Sequence, residues 1–359
     1  MTQKPEHQPN ADLKSTRFRN PSSSRRGWFN LFFYCSLPPN RVSFHIMFRN
    51  LQKPQLQLNR YTVCGFVAIL LWSTTIAIIR SLTEQVGPIT SAASIYLLGG
   101  FLSLIPLSYS RDRIAQVRTL SRFYLFGCGA IFIFYMLAIY LAVGLASDRQ
   151  QVLEVGLINY LWPAFTLLFS VFLLGKNARF SLIPGMILGF LGAFLVLTQG
   201  DSISWTSFSR NVATNSWAYS LALMAAVSWG LYSNLSRRWG GTMSGNAVPF
   251  FMMATGLILL FIRLFFPEQS LWTLRSVAEV LFMSLVTLFS YIFWDLAMRK
   301  GDMVLVAASS YFIPFLSTLV SSVYLGITAG LRLWLGCGCI ILGSLISWAS
   351  VSDRGSKSL

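Results

Sequence analysis

The chain has 359 residues, of which 54% are hydrophobic and only 11% are charged, and its mean hydropathy is +0.59. A soluble domain carries about 25% charged residues, so this chain could not cover a water-facing surface. The composition therefore excludes a soluble globular protein, a disordered chain and a disulfide-rich secreted domain. Because the apolar stretches are near-continuous runs of about 20 residues, the sequence predicts an all-α polytopic membrane protein.

The basic residues are concentrated at the start of the chain. The formal net charge is +16, and residues 1–60 hold ten of the 28 lysines and arginines against two acids. We expect residues 1–60 to be a basic, disordered tail beside the anionic leaflet of the lipid bilayer, with no nucleic-acid partner. Translation could start at Met1 or at Met47, which would leave a short tail.

Ten apolar segments follow the tail, and most of their connections are short. They lie near residues 61–81, 88–109, 123–146, 152–174, 181–199, 215–236, 247–266, 274–298, 303–325 and 331–350. The pattern predicts ten transmembrane helices in two five-helix units, residues 61–199 and 215–350. An outer linker (200–214) joins the units, and a short tail (351–359) ends the chain.

The distribution of charge predicts the orientation. If the N-terminus is cytoplasmic, 22 of the 28 basic residues face the inside, as the positive-inside rule requires. Both termini are then cytoplasmic, in agreement with an even number of spans.

The two five-helix units share a sequence pattern. Residues 159–163 (Asn-Tyr-Leu-Trp-Pro) align with residues 310–314 (Ser-Tyr-Phe-Ile-Pro), and Trp72 aligns with Trp229. Since five is an odd number, the second unit must cross the membrane in the opposite sense. The pattern therefore predicts an inverted-topology repeat around a central cavity, a common plan of secondary transporters. Chance alignment of similar apolar helices is the alternative.

Two prolines lie near the middle of aligned spans. Proline lacks a backbone N–H and crowds the carbonyl four residues earlier, so Pro163 and Pro314 predict helix kinks that free the carbonyls of Asn159 and Ser310. The hydrocarbon region tolerates such carbonyls only against protein or a wet cavity. Matching kinks in two repeats indicate a site at mid-depth, although kinks that serve packing alone are the alternative.

Aromatic side chains dominate the predicted cavity. Tyr and Trp combine an apolar body with a polar group, which suits a cavity better than a lipid-facing position at mid-depth. Any one of them could instead be a core residue or an interfacial belt residue. The predicted substrate-binding residues are Asn159, Tyr160, Trp162, Trp229, Tyr135, Tyr140, Tyr311, Tyr291 and Trp294.

Acidic residues are few in the spans. Glu154 is a candidate proton or ammonium site, and the alternative is a carboxylate favoured by the helix dipole. Asp295 precedes Arg299 by four residues, which indicates an interfacial ion pair. We find no lysine or arginine near the middle of a span, which favours a neutral, zwitterionic or cationic substrate over phosphate-bearing anions.

The sequence predicts neither a cofactor nor a metal site. Its two histidines, His7 and His45, both lie in the tail, and Cys337-Gly-Cys339 does not have a metal-binding spacing. Because the spans also lack paired carboxylates, a membrane-embedded enzyme is disfavoured.

At this level of detail the sequence resembles a known family. The residues that carry the resemblance are Leu71-Trp72-Ser73-Thr74, Gly87-Pro88, Glu154-Val155-Gly156, Asn159-Tyr160-Leu161-Trp162-Pro163 and Ser310-Tyr311-Phe312 with Pro314. Across residues 61–350 the chain resembles the EamA family of the drug/metabolite transporter superfamily, and within it the exporters of aromatic amino acids. The 60-residue tail departs from that pattern.

The resemblance implies ten helices around a central cavity in the bacterial inner membrane. It implies export of Phe, Tyr and Trp, with Tyr160 and Trp162 in the cavity and Trp229 opposite them. The alternatives are a carrier of the same fold for cationic drugs or other amino acids, a channel, and, least favoured, an enzyme. The oligomeric state is left open, and a monomer is compatible with the sequence.

Overall fold

The computed structural model of the protein describes residues 58–108, 111–198, 205–241, 243–325 and 330–352. Nearly all of the predicted basic tail and of the C-terminal tail lies outside these residues, so both remain predictions. The described residues form helices and one two-stranded sheet.

The described residues of the first half of the chain form seven α-helices. In chain order its elements are α1 (Arg60–Val86), α2 (Pro88–Ser108), α3 (Arg111–Arg118), a π-helical turn (Phe123–Cys128) that continues into α4 (Gly129–Leu145), α5 (Arg149–Asn159), α6 (Trp162–Leu174), β1 (Asn177–Ala178) and α7 (Leu182–Leu197).

The second half also contains seven α-helices among its described residues. Its elements are α8 (Trp205–Thr214), α9 (Ser216–Gly240), α10 (Val248–Arg263), α11 (Leu274–Lys300), α12 (Met303–Ser309), α13 (Phe312–Leu325), α14 (Leu331–Ser350) and β2 (Val351–Ser352). Helix α8 lies in the predicted outer linker (200–214), where the sequence predicts no helix. The strands β1 and β2 pair antiparallel and join the two halves.

Local sequence explains where the long helices begin and end. The Asn59 side chain accepts hydrogen bonds from the first backbone N–H groups of α1. Gly87, at φ 89°, ends α1 in a conformation that suits glycine, and Pro88 then begins α2, where its missing N–H costs nothing. A capping box between Thr273 and Ser276 begins α11.

Among the described residues, length and composition allow five helices to cross a membrane, or six if α12 and α13 count as one bent span. Two shorter helices, α7 and α10, are also apolar, while α1 and α9 have 27 and 25 residues but include more polar side chains. Large apolar side chains such as Phe172 and Leu274 are exposed on the outside, where lipid would solvate them. The protein is thus an all-helical polytopic membrane protein.

Two of the predicted spans are broken. Helix α5 ends at Asn159 and α6 begins at Trp162, with Pro163 in its first turn. Helix α12 ends at Ser309 and α13 begins at Phe312, with a bend of 45° between them. Proline explains the breaks because it cannot donate to the carbonyl four residues earlier.

Helices α7 and α14 pack against each other through small residues. A Cβ added to Gly192 would lie 2.6 Å from the backbone oxygen of Gly336, and one added to Gly343 would meet the backbone nitrogen of Gly189. Close approach of two backbones is how membrane helices gain van der Waals contact without a hydrophobic driving force. The Gly185-x-x-x-Gly189 pattern therefore serves this interface.

The other long helices also pack in pairs. Helix α1 packs against α11, α2 against α10, and α4 against α9. Helix α9 also contacts α6, and α1 also contacts α13. These pairs surround the main apolar core, which is built around Trp229 and Trp294.

We predict that Gly343→Ala destabilises the protein, because the new methyl group meets backbone that cannot rotate away. Overpacking costs about 1–3 kcal/mol. The measurement is thermal unfolding of the detergent-purified protein. Gly338→Ala on the same helix is the matched control, since a Cβ at that position meets nothing within 4 Å. Equal melting temperatures of the two variants would contradict this account of the interface.

Candidate functional site

Four tryptophans from four helices meet in the centre of the bundle. We call this group the tryptophan cluster: Trp72 (α1), Trp162 (α6), Trp229 (α9) and Trp294 (α11). All six pairs of their rings are in contact, with centroids between 5.1 Å (Trp72–Trp294) and 6.3 Å (Trp72–Trp162 and Trp162–Trp229) apart. Such edge-to-face and offset geometries are those that aromatic pairs prefer.

The helix break between α5 and α6 places Trp162 in this cluster. Trp162 is the first residue of α6 and is 5% exposed. On the opposite side, the indole Nε1–H of Trp294 donates to the Ser233 hydroxyl at 3.2 Å, so this buried ring has its polar group satisfied.

Tyrosines extend the tryptophan cluster to one side. Tyr135 packs on Trp229 at 4.7 Å between ring centroids, and Tyr291 contacts both Trp72 and Trp229 at 5.7 Å. Tyr96 stacks on Tyr291, and their hydroxyls are hydrogen-bonded at 2.9 Å. The structure thus joins residues of α1, α2, α4, α6, α9 and α11 in one aromatic assembly.

Four tyrosines that pack against the main core are only partly buried, so part of each side chain remains accessible. The four residues are Tyr135, Tyr140, Tyr160 and Tyr291. Tyr135 and Tyr291 also contact the tryptophan cluster. A small molecule that reached their accessible surface would therefore contact the edge of this cluster.

The α5–α6 break supplies an unpaired polar atom near the same place. The side-chain oxygen Oδ1 of Asn159 is buried without a hydrogen-bond partner among the described residues. The Asn159 side chain lies beside Tyr135, which itself packs on Trp229. A buried unsatisfied acceptor is costly, so it is a natural position for a donor group of a ligand.

The second break, between α12 and α13, places its aligned tyrosine, Tyr311, away from the tryptophan cluster. Tyr311 is fully buried in a separate apolar cluster with Val196, Leu333 and Ile340, and its ring faces the backbone of Gly189 in α7. The two halves therefore use the aligned tyrosines differently: Tyr160 packs against the main core, whereas Tyr311 packs between helices.

Glu154 lies in a cage of hydrogen-bond donors. It is 0% exposed and accepts a hydrogen bond from the hydroxyl of Tyr219 in α9. Asn211 in α8 donates at 3.1 and 3.3 Å, and Gln150 in α5 donates at 2.9 Å. These hydrogen bonds link α5 to α8 and α9. They lie near the start of α9, whereas Tyr232 lies nearer its end.

Asp295 and Arg299 differ from the expected interfacial pair, because both side chains are 0% exposed. Arg299 donates to Asp295 at 3.1 Å, and the hydroxyls of Tyr124 and Tyr232 donate to the two oxygens of Asp295 at 2.8 and 3.1 Å. Spacing along one helix predicted the pair. It could not show that Tyr124 from another helix and the segment after α9 cover it.

Sequence reasoning missed several residues of the assembly. Trp72 could have been predicted as a site residue, because it aligns with Trp229 in the repeat. Phe132 and Tyr232, which both contact Trp229, and Tyr96 had no pattern that distinguishes them from other aromatic residues in apolar helices. Among the described residues, no group of three His, Cys, Asp or Glu side chains could hold a metal ion.

The class of protein follows from a comparison with known families. A model of the EamA-like transporter family matches residues 60–198 and again residues 216–349. The chain belongs to this family, and it is accordingly a transporter of small molecules in a membrane rather than an enzyme.

Several relatives carry a more specific name. The "Aromatic amino acid exporter YddG" of Escherichia coli (strain K12) is 30% identical over 288 residues, which cover 80% of this chain and 96% of the relative. The exporter of the same name from Salmonella typhimurium (strain 14028s / SGSC 2262) is 30% identical over 294 residues, covering 82% and 98%. One crystal structure, 29% identical, superposes with a TM-score of 0.67 over 80% of this chain and 96% of that chain.

We predict that Asp295→Ala destabilises the protein strongly, because it leaves the Arg299 guanidinium buried without its charge partner. Breaking a buried pair in this way costs about 3–5 kcal/mol. Arg275 and Glu279 on the same helix form the matched control, since they have the same i, i+4 spacing but Arg275 is 75% exposed. Arg275→Ala should cost about 0.2–1 kcal/mol. Thermal unfolding of both variants in detergent measures the difference, and similar losses would contradict the buried pair.

Proposed function

We propose that the protein is a secondary transporter that exports the aromatic amino acids Phe, Tyr and Trp across the bacterial inner membrane by alternating access. The observation that carries this proposal is the tryptophan cluster with the accessible tyrosines beside it. An aromatic side chain bound beside the cluster would find ring edges and faces to contact, in the arrangements that aromatic pairs prefer.

The same site has groups suited to an ammonium. The faces of Trp and Tyr attract a cation, and Asn159 Oδ1 is an acceptor without a hydrogen-bond partner among the described residues. The α5–α6 break also places the start of a helix at Trp162, and a helix start favours negative charge. A zwitterion could place its ring among the tryptophans, its ammonium at Asn159 and its carboxylate at the start of α6.

The site does not favour a multiply charged anion. Arg299 is the buried cation nearest the tryptophan cluster among the described side chains, and its donors are taken by Asp295 and by backbone carbonyls. An anion leaving water needs a fixed cationic partner. An amino acid needs only to have its single carboxylate satisfied.

The named relatives support the same substrate class. At 30% identity over 80% of the chain or more, the overall architecture is shared, whereas the choice of substrate depends on a few side chains. The aromatic assembly described above is chemically suited to the substrate that the relatives' names state.

We propose further that ten helices form two inverted five-helix repeats, residues 61–199 and 215–350, around a central cavity. The family model's two matches support a duplication. Helix packing supports a two-fold relation: the α1–α11 pair corresponds to α9–α4, and α6–α9 corresponds to α13–α1. With the basic residues inside, both termini are cytoplasmic. Reporter fusions after residue 359 test that orientation.

We predict that Trp162→Ala and Tyr160→Ala fold and insert but lose most transport of Phe. Each substitution removes an aromatic surface from the proposed site without removing a buried charge. Trp217→Ala on α9 is the matched control, because Trp217 is 76% exposed on the outside of the bundle. Normal transport by both site variants would remove the cavity assignment.

The measurement is counterflow in proteoliposomes. Unlabelled Phe is loaded inside, trace labelled Phe is added outside, and empty liposomes at equal pH are the reference. Transient accumulation supports a carrier for aromatic amino acids. Repeating the assay with a pH gradient, with the wild type and with Glu154→Gln, tests whether that carboxylate couples transport to protons.

The rival functions give different outcomes. If the folded, inserted protein does not accumulate Phe, the aromatic amino-acid assignment fails. Competition between other amino acids and cationic aromatic compounds would then identify the substrate within the same fold. Unitary currents in a planar bilayer would instead establish a channel.

A further inference from the structure

Two groups of helices face each other across the tryptophan cluster. The first group consists of α1, α2, α10 and α11, and the second of α4, α5, α6, α8 and α9. Within each group the helices pack closely: α1 against α11 and α2 against α10 in the first, and α9 against α4 and α6 in the second. Trp72 and Trp294 come from the first group, and Trp162 and Trp229 from the second.

At one end of the bundle, the described side-chain hydrogen bonds run within the first group. Glu279, near the start of α11, accepts from Ser81 at 3.0 Å and from Gln85 at 3.3 Å, both near the end of α1. Glu268, before α11, accepts from Thr90 at the start of α2. These bonds hold the first group together at this end.

The second group is held together in the same way at that end. Glu154 binds Tyr219 and Asn211, as described above, and Asn215 donates to Gln151 at 2.8 Å. Among the residues that the structure describes, these hydrogen bonds do not cross between the two groups. Hydrogen bonding at this end is therefore compatible with separation of the groups.

The other end is different, because its hydrogen bonds cross between the groups. Asp295, on α11 of the first group, accepts hydrogen bonds from the hydroxyls of Tyr124 and Tyr232. Tyr124 lies in the π-helical turn that continues into α4, and Tyr232 lies on α9, so both belong to the second group. Arg237 on α9 donates to the carbonyls of Met298 at 3.1 Å and Gly301 at 2.9 Å. We call this the closed end.

Arg299 extends the crossing bonds to the connection between α9 and α10. Its Nε, Nη1 and Nη2 atoms donate to the carbonyls of Gly240 (2.8 Å), Gly245 (2.8 Å) and Met243 (2.6 Å). Its guanidinium lies 4.8 Å from the centre of the Tyr124 ring. We define the Asp295 network as Asp295, Arg299, Tyr124 and Tyr232 with these three carbonyls.

The Asp295 network is in direct contact with the tryptophan cluster. Tyr232, which donates to Asp295, packs on Trp229 with ring centroids 5.2 Å apart. Trp294 precedes Asp295 in the chain, and its indole donates to Ser233, the residue after Tyr232. A ligand that moves Trp229 or Trp294 would therefore also move a partner of Asp295.

We propose that the Asp295 network is the latch that closes one end of the transporter, and that Asp295 is a positioning residue which must release Tyr124 and Tyr232 before substrate passes that end. The proposal rests on transport by alternating access, as proposed above. A fully hydrogen-bonded buried pair suits a latch, because partial opening would leave a charge without partners. Closure is then all-or-none.

Cys128 provides a reporter inside the protein. It is fully buried at the end of the π-helical turn, one turn after Tyr124 and near Asp295. The other four cysteines, Cys35, Cys64, Cys337 and Cys339, would be changed to Ser. The rate at which N-ethylmaleimide modifies Cys128 in liposomes then reports how often the closed end opens.

In this background we predict that Asp295→Asn and Tyr232→Phe raise the modification rate of Cys128 about tenfold or more. Losing a hydrogen bond to a charged group shifts the population towards the open end by this order. Arg275→Ala, which alters an exposed ion pair on the same helix, should leave the rate unchanged. Counterflow should slow in both latch variants, with the half-saturating Phe concentration changed less than the maximal rate.

Labelling below the melting temperature of each variant separates opening from unfolding. If Asp295→Asn does not fold, the Cys128 modification rate of Tyr232→Phe, which removes a single hydroxyl, tests the latch by itself. An unchanged Cys128 rate in the folded variants would overturn the latch. Labelling needs no substrate. If the wild-type protein does not transport Phe, the proposed substrate is wrong, but the labelling result remains valid.

Discussion

A lipid bilayer offers no hydrogen-bond partners in its interior, so each polar group of a spanning segment must be satisfied within the protein. The rest of this structure depends on that constraint. It explains why the backbone is helical, why Asp295, Arg299 and Glu154 are each surrounded by partners, and why the helices break only where other protein surrounds the break. Asp295 and Arg299 link helices towards one end of the bundle, and Glu154 links helices towards the other end. Aromatic side chains occupy the region between them.

The position of Trp162 in the tryptophan cluster depends on the α5–α6 break. An unbroken helix would satisfy the backbone around Asn159 but would not present Trp162 as the first residue of a new helix. The cluster in turn covers the break from one side. The second break has the same proline and a tyrosine at the aligned position, yet Tyr311 packs against α7. The two aligned tyrosines thus pack in different surroundings, although the sequence around them is similar.

Much of the candidate site could be predicted from the sequence, and the reasons differ between residues. Trp162, Trp229, Trp294, Tyr135 and Tyr291 were predicted as polar-tipped aromatic residues near mid-depth, and they meet in one assembly. Tyr311 shares those features and lies elsewhere, because local pattern does not reveal which way a residue faces after a bend. Asp295 and Arg299 were expected at the interface, since the spacing of a pair on one helix is independent of what other helices bring over it.

The sequence by itself determined that the chain is a helical, polytopic membrane protein and where two of its helices break. These properties depend on local hydropathy, on proline and on capping residues, which act over a few positions of the chain. Only the tertiary structure decided that four tryptophans from four helices meet, that Glu154 is enclosed by α8 and α9, and that Asp295 bridges three helices. Those contacts join residues as far apart in the chain as Trp72 and Trp294. Nothing in the local sequence encodes which faces of similar apolar helices will pack together.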